Sequence, residues 1–92
     1  MKKFLYRVKA GDTVLSLSGK YRVPTCDLIR ENGLSAEIRE GDVLILSPLE
    51  NAYKVRPSES DGEVAEKLGV DKEKALSSNG FPYFFYGLTV RP

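Results

Sequence analysis

Ninety-two residues suffice for one domain or two very small ones. With 41% hydrophobic and 29% charged residues the chain can build a core, and a formal net charge of +1 leaves no basic surplus for nucleic acid. The absence of histidine and a single cysteine, Cys26, exclude an internal disulfide and a His/Cys zinc site, so no metal or cofactor is expected. At the start, Phe4, Tyr6 and Val8 alternate with Leu5, Arg7 and Lys9, the period of a half-buried strand. Gly11 permits a turn, and Asp12 and Thr13 carry side-chain oxygens suited to the free N–H groups of a following helix. Val14, Leu17, Ser18 and Tyr21, with Leu15 alongside, form one face of that helix, which ends before Pro24. Thr25 is the expected cap of a second helix holding Cys26, Leu28 and Ile29, and Asn32-Gly33 is its expected stop. After a loop over 34–40, Gly41-Asp42 turns the chain into the strand Val43-Leu44-Ile45-Leu46.

The order then repeats. Tyr53, Val55, Lys67, Val70 and Asn79-Gly80 match Tyr6, Val8, Lys20, Val23 and Asn32-Gly33 at an offset of 47. Near the end, pairing Leu88, Val90 and Pro92 with Leu44, Leu46 and Pro48 sets the offset at 44, which implies a last loop three residues shorter. The expected organisation is therefore one repeat over 4–48, a linker over 49–51 and a second repeat over 52–92. Gly11-Asp12-Thr13 becomes Ser58-Glu59-Ser60, with Glu63 placed to complete a capping box. Five of the nine aromatics, Phe81, Tyr83, Phe84, Phe85 and Tyr86, crowd into the last loop. They are expected to glue the halves together, or to dock a protein partner or a second copy.

The series Tyr6-x-Val8-x-x-Gly11-Asp12-Thr13, Leu17, Tyr21-x-Val23, Leu28, Asn32-x-Leu34 and Gly41-x-x-Leu44 resembles the lysin motif (LysM). Residues 52–92 resemble a divergent copy. The resemblance implies an α+β fold: two small βααβ units, each with a two-stranded antiparallel sheet and two helices packed on one face. It also implies non-catalytic recognition of N-acetylglucosamine polymers, peptidoglycan of wall or spore cortex or chitin-like oligosaccharides. Carried over by position, the groove would have Gly11, Asp12, Thr13 and Val14 on one side. Asn32, Gly33, Leu34 and Ile38 would form the other, with Leu34 and Ile38 equally readable as lids of the core. The alternative is an intracellular or spore-associated assembly module that keeps the fold without strong sugar binding. Catalysis is not expected, since Cys26 has no evident base and no acid pair stands in a catalytic setting. Met1-Lys2-Lys3 is followed by no apolar run of signal-peptide or membrane length. The expected site of residence is thus cytoplasmic as synthesised, with association to spore or wall and no membrane contact.

Overall fold

In a computed structural model describing residues 2–92, strand β1 (Phe4–Arg7) pairs antiparallel with β2 (Val43–Leu46), placing Tyr6 opposite Leu44. Two helices lie between them in sequence, α1 (Val14–Tyr21) and α2 (Thr25–Glu31). Thr13 caps α1 through a reciprocal pair: Ser16 N–H donates to Thr13 Oγ1 at 3.0 Å, and Thr13 N–H donates to Ser16 Oγ at 2.9 Å. Arg22, in the left-handed conformation at φ 58°, ends α1 before Pro24. Thr25 does not cap α2. Pro24 occupies that position, and the Thr25 hydroxyl accepts from the backbone N–H of Thr89 at 3.1 Å. Val8, Leu17, Val23, Leu28, Ile38, Leu44 and Leu46 close the first core.

The later residues give β3 (Tyr53–Lys54), α3 (Asp61–Leu68), α4 (Lys72–Asn79) and β4 (Thr89–Val90). Strands β3 and β4 form a separate antiparallel sheet, and Val55, Val64, Ala65, Ala75, Phe84, Leu88 and Val90 form a second core. Local hydrogen bonds recur at the 47-residue offset. Tyr6 donates to Asp12 and Tyr53 to Glu59, both at 2.6 Å, while the Lys9 and Arg56 N–H groups reach the same carboxylates. Ser60 and Glu63 repeat the capping box of Thr13 and Ser16.

The end of the chain departs from the expected register. Val8 exchanges backbone hydrogen bonds with Gly41 and Asp42, and Val55 with Gly87 and Leu88. Gly41 and Gly87 share the same backbone angle, φ 94° and 93°. The structural offset there is 46, not 44, and Tyr53 faces Val90 rather than Leu88. The last loop is one residue shorter, not three.

The halves pack against each other along a polar seam. Asp27 on α2 binds Arg30 at 2.6 Å and Arg91 at 2.9 Å, so one carboxylate joins an element of its own half to the end of the other. Arg22 donates to the carbonyl of Glu50 at 3.1 Å, and Leu49 N–H to that of Arg22 at 2.9 Å, which folds the 49–51 segment back onto α1. Leu15 reaches toward Gly87, where an added Cβ would lie 3.9 Å from its Cδ1. Of the aromatics expected as glue, Phe81 and Phe85 face the first half across a cleft, and Phe84 is buried in the second core.

Candidate functional site

The first turn is held from within. Gly11 takes φ 88°, in the left-handed region that glycine tolerates. The Asp12 carboxylate accepts from the Tyr6 hydroxyl at 2.6 Å and from Lys9 N–H at 2.9 Å. The Tyr6 hydrogen bond, followed by that of Lys9, holds the Asp12 carboxyl below its ordinary range. The same Tyr6–Asp12 bond is the chief reason the Tyr6 phenol is pushed up from 10.0 to about 12. Asp12 and Thr13 thus spend their side chains on the turn and the helix cap. Of the four residues expected on this side, only Val14 lines the neighbouring cleft.

On the facing segment, Asn32 is a brace. Its Nδ2 donates to the carbonyls of Leu28 and Ile45, both at 2.9 Å, and its Oδ1 accepts from Ile45 N–H at 2.7 Å. The amide thereby completes the edge of β2 and ties it to the end of α2. Asn79 makes the equivalent set with Ala75 and Arg91. Gly33 supplies the left-handed turn at φ 59°. Leu34 packs on the first core and lines the cleft, whereas Ile38, 6% exposed, belongs to the core and not to the cleft wall. Alternation cannot separate these two roles, because the loop has no period.

Glu37 links the two segments and has no counterpart among the expected site residues. Its Oε1 accepts from Val14 N–H at 2.9 Å and from Ile38 N–H at 3.1 Å. In the later half the connection runs the other way: Asp61, at the position equivalent to Val14, accepts from Phe84 N–H at 2.8 Å. A glutamate in a polar loop carries no sequence signal for such a clasp.

The cleft measures about 370 Å3, within the ~300–1,000 Å3 range of small-ligand sites. Its first side is Val14, Leu15, Ile29 and Leu34, with Thr25, Ser35, Ala36 and Glu37 around them. Phe81, Phe85 and Leu88 supply the other side, from the second half. The arrangement offers an apolar floor, a carboxylate at the rim and hydroxyl groups nearby, which suits a ligand that mixes C–H surface with amide or hydroxyl groups. The aromatic loop divides rather than acting as one face. Phe84 is buried in the second core, Tyr83 is exposed, and Tyr86 borders a separate cleft of about 440 Å3 with Arg22, Lys54 and Arg56. Among the described residues no cluster of three or more acidic or cysteine side chains is placed to hold a metal ion, and no helix is long and apolar enough to cross a membrane.

Comparison with known proteins adds to this geometry. Residues 6–47 match the LysM domain. Over 91 residues the chain is 31% identical to the probable peptidoglycan endopeptidase LytE of Bacillus subtilis (strain 168), a match covering 82% of this chain and 27% of that protein. The fold is similar to that of the Bacillus cereus spore cortex-lytic enzyme SleL, with a TM-score of 0.50 and 23% identity over 100% of this chain and 23% of that one. The Bacillus megaterium QM B1551 SleL structure gives a TM-score of 0.45 at 24% identity, covering 96% of this chain and 22% of that one. The chain spans about a quarter of the length of these relatives. The first half of the chain, residues 6–47, is therefore a LysM domain.

Proposed function

We propose that this chain is a non-catalytic binding protein for N-acetylglucosamine-containing glycans, with peptidoglycan of the cell wall or spore cortex as the ligand and chitin-type oligomers as soluble surrogates. One observation carries the reading: Val14, after the capped first turn, and Leu34, after α2, line a single cleft, and Glu37 clasps the two segments that carry them. An N-acetyl group presents a methyl, a carbonyl and an N–H, and the cleft pairs apolar side chains with a carboxylate acceptor. The LysM match and relatives named for peptidoglycan and spore cortex support the same ligand class. Residues 52–92 act in this reading as a second, divergent LysM repeat, supported by hydrogen bonds that recur at the 47-residue offset. Cys26 takes no catalytic role; burial, reinforced by Asp27, pushes its thiol up to about 11.

A titration of isotope-labelled protein with N-acetylglucosamine oligomers, alongside a pull-down on purified peptidoglycan, tests the proposal. Shifts at Val14 and over 34–37, with retention on the polymer, are expected. No shift at millimolar sugar and no retention would refute it. The exposed Tyr83 and Tyr86 favour a second reading, docking of a protein partner or second copy through the aromatic loop. Association that persists without glycan and is lost in Tyr83→Ser would identify that case.

A further inference from the structure

The cleft beside Val14 is completed by the other half of the chain. Leu88 is fully buried and Phe81 packs on the second core, so both form fixed walling. Phe85 differs, being 38% exposed. Its ring meets Phe81 at 6.0 Å and 89°, and Tyr83 at 6.1 Å and 62°, both edge-type contacts with no face-to-face stacking. An aromatic face carries partial negative charge, and a pyranose chair turns a layer of partly positive axial C–H groups toward such a face. Across the cleft, the Oε1 of Glu37 already accepts two backbone N–H groups, while Oε2 accepts none among the described residues.

We propose that the cleft is a composite glycan subsite in which one N-acetylhexosamine ring stacks on Phe85 of the second half while its acetamido N–H donates to Glu37 of the first. This rests on the glycan-binding reading above and adds to it that both halves contribute to one site. An apolar peptide helix is the poorer occupant, since it would strip water from the Glu37 carboxylate and return no hydrogen bond. The cleft, at about 370 Å3, also has the size of a small-ligand pocket, not of a protein-docking face. The helix start at Val14-Leu15 bears no aromatic residue; the rings that line the cleft, Phe81 and Phe85, both come from the second half.

The test uses the full chain and tetra-N-acetylchitotetraose as the probe. Phe85→Ala is expected to weaken binding about tenfold, the scale of one lost aromatic contact, with the folded state retained by far-UV circular dichroism. Phe85→Trp keeps the platform and introduces the only tryptophan, because the parent chain has none. Its emission is expected to change saturably with added sugar. Tyr86→Ala, at the separate cleft, leaves affinity unchanged. Cellotetraose, which has the rings but no acetamido groups, is expected to bind far more weakly. If the parent binds the tetramer but Phe85→Ala matches it within about twofold, or the tryptophan emission stays flat, the composite subsite is wrong and the broader reading survives. Equal binding of cellotetraose would remove the role given to Glu37. A parent that binds no acetylated sugar refutes both.

Discussion

Ser58 invites a stability experiment with a built-in control. It occupies the position of Gly11 in the earlier turn and adopts φ 66°, close to the 88° of that glycine. A side chain in the left-handed region costs about 1–2 kcal/mol. Replacing Ser58 by glycine removes that strain but loosens the unfolded chain, which returns about 0.4–1 kcal/mol. The Ser58 hydroxyl makes no hydrogen bond among the described residues to offset its loss. The net is a gain of ~0.5–1 kcal/mol, or roughly 2–8 °C in melting temperature for a chain this size. Gly11→Ala reverses the change: no heavy atom lies within 4 Å of the added Cβ, so backbone strain alone acts, at a cost of about 0.5–1 kcal/mol. Thermal melts followed by far-UV circular dichroism measure both. A Ser58→Gly protein that melts at or below the parent temperature, beside a destabilised Gly11→Ala, would refute the strain account.

Asn79, 1% exposed, makes three N–H···O hydrogen bonds through its side chain and accepts a weaker fourth from the Cys26 thiol, and Asn79→Ala is expected to cost ~2–3 kcal/mol in urea unfolding. Asn32→Ala, at the half-buried equivalent, loses less because water reaches the freed groups; equal losses would refute the burial argument. The Tyr–carboxylate pairs shape stability at both ends of the pH scale. Asp12 and Glu59 have lowered carboxyl pKa values in the fold, so their contribution is present above the unfolded carboxyl range and is lost as pH falls through the lowered values. Tyr6 and Tyr53 are raised, so theirs is full below 10.0 and is lost as pH rises, for Tyr6 toward about 12. Tyr6→Phe is expected to shallow both flanks of a urea-midpoint profile, and a parallel profile would refute the coupling. With its thiol pushed up to about 11, Cys26 should react with a disulfide reagent at neutral pH much more slowly in the folded protein than in guanidinium.

The alternation of Phe4, Tyr6 and Val8 and the helical spacing of Val14, Leu17 and Tyr21 made the first half readable, because each residue there meets a regular element. The capping residues Thr13 and Ser60 were equally legible, since a cap is a local event. Register at the end of the chain was not. Leu and Val recur too often in strands for identity to align Leu88 with Leu44, while the turn glycines Gly41 and Gly87 carry the alignment that hydrogen bonding enforces. In the cleft, the sequence pointed to Val14 and Leu34, which line it, while the side chains of Asp12, Thr13 and Asn32 bond to the loops and helix starts around it. Glu37 depends on how closely two loops approach, which no single-chain pattern encodes. The aromatic cluster was visible as a cluster, yet its division among core, cleft and solvent is set by tertiary packing.

Strand β4 serves two masters. Its two residues close the second sheet, and Thr89 also hydrogen-bonds to Thr25, a residue that borders the cleft, while nearby Arg91 grips Asp27 two residues further on. The last few residues therefore work as a latch on a helix more than sixty positions earlier in the chain. Trimming them would release that helix as well as fray the tail, and a ligand seated beside Thr25 would feel the cut.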